Sequence, residues 1–207
     1  MKLYIHPASP NARKVAMAAA ILGIPAETQA VDLMAGDQRK PAYLALNPNG
    51  MVPVLQDGDF TLSESNAIMQ YLAGKKPGTT LWPADERARA RVSQWMCWDL
   101  AHWSPTLGIF VWENMFKPLL GRGSTDPAAL QQGEEKLKRF GGVLDDQLGR
   151  TAYVAGDALT LADLSICSFL MFARPGKIPV ERFPNISRWF AKIEQLPAWK
   201  ATQPPPI

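Results

Sequence analysis

A hydroxyl and an amide stand two residues apart in the stretch HPASPNARKV, at positions 6–15 of the chain. Ser9 and Asn11 both carry hydrogen-bond donors, so together they can stabilise an anion held in front of them. His6 is interpreted as a packed strand residue, and no other base lies nearby in sequence. Ser9 is therefore not expected to be a covalent nucleophile. The competing interpretation is structural, because Ser or Asn before a proline-started helix is a typical cap.

A second candidate is the stretch TLSESNAIMQYL, at positions 61–72. Thr61 and Glu64 have the spacing of a helix capping box. Alternatively, the N–H groups of the helix start and the hydroxyl of Ser65 bind a ligand carboxylate, while Glu64 accepts a hydrogen bond from a ligand ammonium group.

The third candidate is the stretch NPNGMVPVLQDG, at positions 47–58, which places Pro53 inside an apolar strand pattern. Residue chemistry alone favours an ordinary trans proline at a sheet edge. A cis Val52–Pro53 bond would instead leave the backbone of Val52 free to pair with an extended, peptide-like ligand.

Short strand and helix patterns surround these motifs in the first part of the chain. An Ala-rich helix pattern closed by Gly23 and Pro25 separates two strand candidates, which predicts a parallel βαβ unit. An Asp-Gly turn then predicts a hairpin, followed by a final helix. The predicted strands are Lys2–Ile5, Glu27–Val31, Val52–Leu55 and Phe60–Leu62, and the predicted helices are Pro10–Leu22, Pro41–Leu46 and Glu64–Leu72.

The rest of the chain has the pattern of helices only. The stretch GKKPGTTLWPAD, from Gly74 to Asp85, lacks periodicity and predicts a linker. We therefore expect an α/β domain over residues 1–75, a linker over 76–85 and an all-helical domain over 86–207. The predicted helices are Glu86–Trp112 (one helix, or two broken at Ser104-Pro105), Pro127–Leu148, Leu161–Phe172 and Val180–Leu196.

Composition excludes several classes of function. The 207 residues are 47% hydrophobic and 20% charged, and the net charge of +3 is spread along the chain, which disfavours nucleic-acid binding. No signal peptide or membrane-spanning segment is recognisable, so no membrane association and a cytoplasmic location are expected. Cys97 and Cys167 are interpreted as buried free thiols, and the few His and Cys residues show no metal-ligand spacing, so no metal is expected.

Aromatic residues are concentrated at the start of the predicted helical domain. Trp103, Trp112 and Phe116 lie near the possible helix break at Pro105 and are candidates for the wall of a hydrophobic substrate pocket. For any single tryptophan, packing in the core is the competing interpretation.

These motifs, in this order, resemble the cytosolic glutathione transferases, and the resemblance covers the whole chain. Four stretches show this resemblance most specifically: HPASPNARKV with Ser9, NPNGMVPVL, SESNAI with Glu64 and Ser65, and GDALTLADLSI at positions 156–166. The chain is most similar to bacterial, serine-type members of the phi, theta or nu kind. The resemblance implies a thioredoxin-like βαβ-ββα domain, an all-α second domain, a detoxification role and a cytoplasmic homodimer.

The resemblance also implies a site for glutathione as co-substrate. Ser9 would stabilise the thiolate, with Asn11 sharing or taking over this role, and the aromatic pocket would hold a hydrophobic electrophile. Pro53 would be cis, and the Val52 backbone would pair with the cysteinyl part. Glu64 and Ser65 would hold the γ-glutamyl end, and Gln38 or, better, Arg39 the glycine carboxylate. Met51 replaces a common Gln, Lys or Arg, and Gln38 a common His.

Two other functions stay open at this point. One is a glutathione-dependent disulfide reductase or peroxidase, as in relatives with a similar loop. However, the 6–13 loop contains no cysteine, which excludes dithiol chemistry there. The other is a non-catalytic binding protein on the same fold, suggested by Met51 and Gln38. The pair Thr160 and Asp163 in GDALTLADLSI is interpreted as a capping box with a purely structural role.

Overall fold

The structure is a computed structural model, and it describes residues 1–204. The chain divides into two compact units: one comprises Met1–Ala84 together with the segment from Leu196 onward, and the other is Asp85–Gln195. The helical domain predicted from the sequence extends to residue 207. The last three positions of that domain lie outside the described residues. The segment from Leu196 packs with the first unit because the buried Arg13 guanidinium lies 3.5 Å from the centre of the Trp199 ring and donates to the Trp199 carbonyl.

The first unit contains the predicted α/β arrangement. Its strands are β1 (Lys2–Ile5), β2 (Glu27–Ala30), β3 (Val54–Asp57) and β4 (Phe60–Leu62). Its helices are α1 (Pro10–Leu22), α2 (Pro41–Leu44), α3 (Ser65–Gly74) and, after the second unit, α10 (Pro197–Ala201), with a 3₁₀ turn at Asp37–Arg39.

The sheet has the strand order β2-β1-β3-β4, in which β1 is parallel to β2 and antiparallel to β3, and β3 is antiparallel to β4. Tyr4 lies opposite Val54, and Leu55 lies opposite Leu62. Because of these directions, the carboxyl ends of β1 and β4 and the amino end of β3 meet at one end of the sheet. This end carries all three sequence motifs of the first unit.

Helix α1 has the predicted bounds because both of its ends carry strong signals. Ser9 is the N-cap, Pro10 fits the first turn, and Gly23 closes the helix with a left-handed φ of 62°. The helix buries Val15 and Ala18 completely and packs against α3.

The second unit is helical, as predicted. The predicted helix Glu86–Trp112 is a continuous helical run without a break at Pro105, which lies in the first turn of α5 directly after the π-helical segment Asp99–Trp103. Two π-helical segments, Asp99–Trp103 and Trp112–Phe116, interrupt the α-helical pattern of this run. The helices are α4 (Glu86–Trp98), α5 (Ser104–Val111), α6 (Lys117–Leu119), α7 (Pro127–Arg150), α8 (Leu161–Cys167) and α9 (Pro184–Gln195).

Helix α8 starts with the predicted capping box of Thr160 and Asp163. The Asp163 carboxylate is completely buried and accepts hydrogen bonds from the N–H groups of Val154 and Thr160, the Thr160 hydroxyl and the Trp189 indole, at 2.9–3.0 Å. Burial raises the pKa of Asp163 even though these donors oppose the rise. Within residues 1–204, no helix is both long and apolar enough to span a bilayer.

Candidate functional site

Three segments lie at the end of the sheet where β1 and β4 finish and β3 begins. They are the loop before α1, the Val52–Pro53 step and the pair Glu64 and Ser65. The Val52–Pro53 peptide is cis, which confirms that prediction. β3 starts at Val54, so the backbone of Val52 lies beyond the last register pair of the β1–β3 ladder. Pro53 itself is buried.

Ser9 caps α1 and still keeps a donor. Its Oγ accepts a hydrogen bond from the Ala12 N–H at 3.2 Å, which satisfies one of the first amides of the helix. Within the described residues, the Ser9 hydroxyl proton is donated to no acceptor. The capping role therefore leaves the O–H available for an anion, and the positive end of the α1 dipole lies at the same place. The structural and functional interpretations of Ser9 are compatible.

Asn11 and Ser65 are brought together from elements 54 residues apart. The Ser65 hydroxyl donates to Asn11 Oδ1 at 3.4 Å, and Ser65 is almost completely buried. The amide oxygen of Asn11 faces Ser65, so its NH₂ group remains the part that can donate to a ligand. This contact links the first turn of α1 to the first turn of α3.

Glu64 is exposed and has a φ of 67°, which is uncommon for a residue other than glycine. The predicted capping box of Thr61 and Glu64 is wrong. Glu64 is itself the N-cap residue of α3, whereas the box requires it three residues inside the helix. Among the described residues, its side chain makes no capping hydrogen bond.

The loop before the cis bond is held by two residues that sequence reasoning missed. Tyr43 Oη and Asn47 Nδ2 both donate to the carbonyl of Met51, at 2.9 and 2.8 Å. Burial raises the pKa of Tyr43 to about 12, so the phenol keeps its proton and remains a donor. The Asn-Pro-Asn-Gly run before Met51 is a turn signal that could have pointed to Asn47.

Gln38 lies next to this loop. Gly50 has a φ of 60°, and a Cβ atom there would lie 3.0 Å from the Gln38 carbonyl oxygen. The Gln38 side-chain nitrogen donates to Leu33 O at 3.3 Å, while its Oε1 is buried with no partner within residues 1–204. Arg39 follows on the same 3₁₀ turn with an exposed side chain, and the Met51 side chain is 67% exposed.

The prediction that Trp103 lines a substrate pocket is wrong. Its side chain is 0% exposed, and its indole N–H donates to the Ile166 carbonyl at 3.1 Å. Stacking on Trp98, with ring centres 6.2 Å apart, completes its enclosure in the core of the second unit. A tryptophan fixed in this way cannot contact a substrate.

Trp112 and Phe116 differ from Trp103 because both retain some exposure. They lie in the same π-helical segment, and π segments are frequent at functional sites. The Phe116 ring packs edge-on against Phe172 at 5.8 Å, and the Arg122 guanidinium lies 5.9 Å from the Trp112 ring. Both remain candidates for contact with an apolar ligand.

The fold is that of a thioredoxin-like domain followed by a helical domain. The family model described as the N-terminal domain of glutathione S-transferase matches residues 3–80, and that of the C-terminal domain matches residues 106–197. The chain belongs to the glutathione S-transferase family.

Individual relatives support this membership over the whole chain. Glutathione S-transferase 3 of Zea mays is 37% identical over 98% of this chain and 92% of its own length. Glutathione transferase F7 from Populus trichocarpa superposes with a TM-score of 0.90 at 31% identity, covering 97% and 96% of the two chains. A glutathione S-transferase-I solved with lactoylglutathione has a TM-score of 0.89 at 30% identity, covering 98% and 97%. Such plant phi-class relatives support the serine-type resemblance, whereas the bacterial subgroup stays a prediction.

Proposed function

We propose that this protein is a glutathione transferase in which Ser9 and Asn11 stabilise the thiolate of bound glutathione for attack on a hydrophobic electrophile. The observation that carries the proposal is the contact of Ser65 Oγ with Asn11 Oδ1 at 3.4 Å. It joins the expected thiolate donors to the expected γ-glutamyl site at the end of the sheet where the cis Val52–Pro53 bond lies.

Glutathione would lie along this end of the sheet in three parts. Its γ-glutamyl carboxylate would face Ser65 and the start of α3, and its ammonium group would face Glu64. Its cysteinyl part would pair with the backbone of Val52, and its glycine carboxylate would reach Arg39 and Gln38. The thiol would then lie in front of the first turn of α1.

The chemistry follows from the donors. A free thiol with a pKa of about 8.5 is mostly protonated at neutral pH. The Ser9 O–H, the Asn11 NH₂ group and the positive end of α1 all favour the anion. The thiolate attacks an electrophilic carbon, a C–S bond forms, and the leaving group departs with the electron pair of the broken bond.

An ultraviolet titration of the thiolate of bound glutathione tests this proposal. We expect a pKa well below that of free glutathione in the wild-type protein, and a return toward the free value in Ser9→Ala, Asn11→Ala or both. Ser124→Ala, which removes an exposed hydroxyl in the second unit, is the matched control. Failure to bind glutathione, or an unshifted pKa in the wild type, would favour a non-catalytic binding protein.

The electrophile would contact Trp112 and Phe116, the two candidate residues that retain exposure. Trp112→Ala and Phe116→Ala should raise the KM for an aromatic electrophile and leave the thiol pKa unchanged. Turnover of a mixed disulfide or hydroperoxide with negligible conjugation would favour the reductase or peroxidase function instead.

We also propose that the protein acts as a cytoplasmic homodimer. Phe60 (43% exposed) and Met51 (67% exposed) are large apolar side chains at the surface of the first unit, and covering either of them in a subunit interface would favour association. Sedimentation equilibrium should give twice the mass of the chain, and Phe60→Glu should shift the equilibrium toward the monomer. A monomeric wild-type protein at micromolar concentration would refute the dimer.

A further inference from the structure

The loop that carries Ser9 is closed by two hydrogen bonds to one residue, His6. The His6 ring Nδ1 accepts from the Ala8 N–H at 3.2 Å, and the His6 carbonyl accepts from the Ser9 N–H at 2.9 Å. The side chain and the backbone of His6 thus fix the two residues that lead into Ser9. The sequence-based interpretation of His6 as only a packed strand residue did not include this contact.

The residues of the turn have complementary roles. In a four-residue turn from His6 to Ser9, Pro7 occupies the second position, where its fixed φ is favoured. The first position usually holds Asp, Asn or Ser, because a short acceptor there bonds the backbone N–H two residues later. His6 Nδ1 makes this same bond, and only the form of the ring with an unprotonated Nδ1 can accept it.

We propose that His6 is a positioning residue for the thiolate site: its Nδ1 fixes the Pro7-Ala8 turn and thereby the direction of the Ser9 hydroxyl. This inference rests on the proposed function of Ser9 and deepens it. The Ser9 Oγ is already tied to Ala12 on the helix side. The hydrogen bond from Ala8 to His6 fixes the backbone on the other side of Ser9. The hydroxyl oxygen is then held in place, and only its proton can rotate toward a thiolate.

The surroundings of His6 support a role inside the first unit. His6 and Pro7 line a cavity of about 280 Å³ together with Ala12, Arg13, Thr28 and Thr202. Arg13 is the one charged residue lining this cavity among the described residues, and its guanidinium is stacked on Trp199. The outer face of the turn borders this cavity, so close packing supports the turn on that side less than the two hydrogen bonds to His6 do.

Substitutions at His6 separate the acceptor from the bulk of the ring. His6→Asn keeps a short acceptor at the first turn position, whereas His6→Leu keeps an apolar side chain and removes the acceptor. Thr28→Val is the matched control, because it changes a polar residue of the same cavity that makes no hydrogen bond to the turn among the described residues. His6→Ala takes the place of the leucine variant if that variant does not fold, since alanine also lacks the acceptor.

The readouts are the thiol pKa of bound glutathione, the kcat with a chlorodinitrobenzene and the KM for glutathione. In His6→Leu we expect the thiol pKa to rise by about one pH unit and kcat at neutral pH to fall about ten- to a hundredfold. The KM for glutathione should change little. His6→Asn and Thr28→Val should keep the wild-type thiol pKa.

Each outcome decides the matter. A purely structural role would lower the melting temperature of His6→Leu without moving the thiol pKa, and that result would overturn the positioning role. Equal loss in the leucine and asparagine variants would also overturn it, because the acceptor would then be irrelevant. An unshifted thiol pKa in the wild-type protein itself would remove the proposed function, and the inference with it.

Discussion

Helix α1 begins directly after its N-cap Ser9, and helix α8 begins directly after its N-cap Thr160. Both helices are therefore preceded by a residue with a hydroxyl group. At α8 the Thr160 hydroxyl donates its proton to the buried Asp163 carboxylate at 3.0 Å. At α1 the Ser9 oxygen accepts from Ala12, and within residues 1–204 its proton is donated to no partner. At the N-terminus of α8 the hydroxyl donor is satisfied inside the protein. At the N-terminus of α1 the Ser9 hydroxyl remains able to donate to a ligand at the end of the sheet.

This difference indicates what separates a structural cap from a candidate site on the same backbone motif. Burial makes every unpaired donor costly, so the interior start at α8 is saturated with hydrogen bonds. The start at α1 is only half-buried, and there an unpaired hydroxyl costs little and can serve a ligand. The predictions below test this contrast.

The largest effect on stability is expected at the N-terminus of α8, where the donors are all hydrogen-bonded to Asp163. Asp163→Ala leaves four buried donors without an acceptor, each costing at least about 1 kcal/mol, so we expect a loss of about 4 kcal/mol or more in unfolding free energy. Urea unfolding measures this loss. Asp157→Ala, an exposed residue of the same segment, is the matched control and should cost less than about 0.5 kcal/mol. Similar losses in both variants would break the contrast.

At the other start, substitutions can separate capping from donation. Ser9→Asp keeps a good N-cap but replaces the hydroxyl by an acceptor with negative charge. We expect stability within about 0.5 kcal/mol of the wild type and conjugation reduced about a hundredfold, measured by steady-state kinetics. Ser9→Thr keeps both the cap and the donor and should retain most of the activity. An active Ser9→Asp protein would mean that the hydroxyl proton has no role.

A third helix start should show a dependence on pH. The Glu113 carboxylate accepts from Lys117 Nζ at 2.8 Å and from the N–H of Asp126, the N-cap of α7, at 2.6 Å. The Lys117 contact and then the Asp126 contact hold the pKa of Glu113 below its usual value.

Because the folded-state pKa of Glu113 is lower than the unfolded value of about 4.3, its contribution is present above that pH and is lost as pH falls through the folded value. Glu113→Gln should therefore flatten the acid side of the stability curve, measured by urea unfolding at several pH values. Glu134→Gln removes an exposed ion pair with Arg182 and should change the curve little. Identical slopes in the wild type and Glu113→Gln would contradict this expectation.

The smallest effects are expected at the cysteines of the chain. Cys97 is exposed, contrary to the prediction that it is buried, and Cys167 is buried at the end of α8. The reactive sulfur of the proposed mechanism belongs to glutathione, so Cys97→Ala and Cys167→Ala should each keep conjugation within about twofold of wild type. A large loss of turnover would point to redox chemistry on the chain itself.

The sequence predicted elements best where local signals agree. The bounds of α1 were predicted correctly because Pro10 and Gly23 mark its ends, and those of β4 because an Asp-Gly turn precedes it. Strand β3 starts two residues later than predicted, at Val54, since a proline cannot donate to the ladder.

Tertiary contacts were the part that no local pattern could reveal. Trp103 and Trp112 lie nine residues apart in one helical run and were given the same predicted role, yet packing buries the first completely and leaves the second 38% exposed. The hydrogen bonds from Tyr43 and Asn47 to the Met51 carbonyl also join positions up to eight residues apart, and they form only when the loop is folded. Family resemblance, rather than residue chemistry alone, led to the correct prediction of the cis bond at Pro53.

The stacking of Arg13 on Trp199 has a consequence for synthesis of the protein. The two residues lie 186 positions apart, so the ribosome must translate the whole helical unit before the aromatic partner of Arg13 emerges. Domains generally fold as units during synthesis, N-terminal first. Here the first unit is completed only after the helical unit has been made, when Trp199 leaves the ribosomal tunnel and can pack against α1.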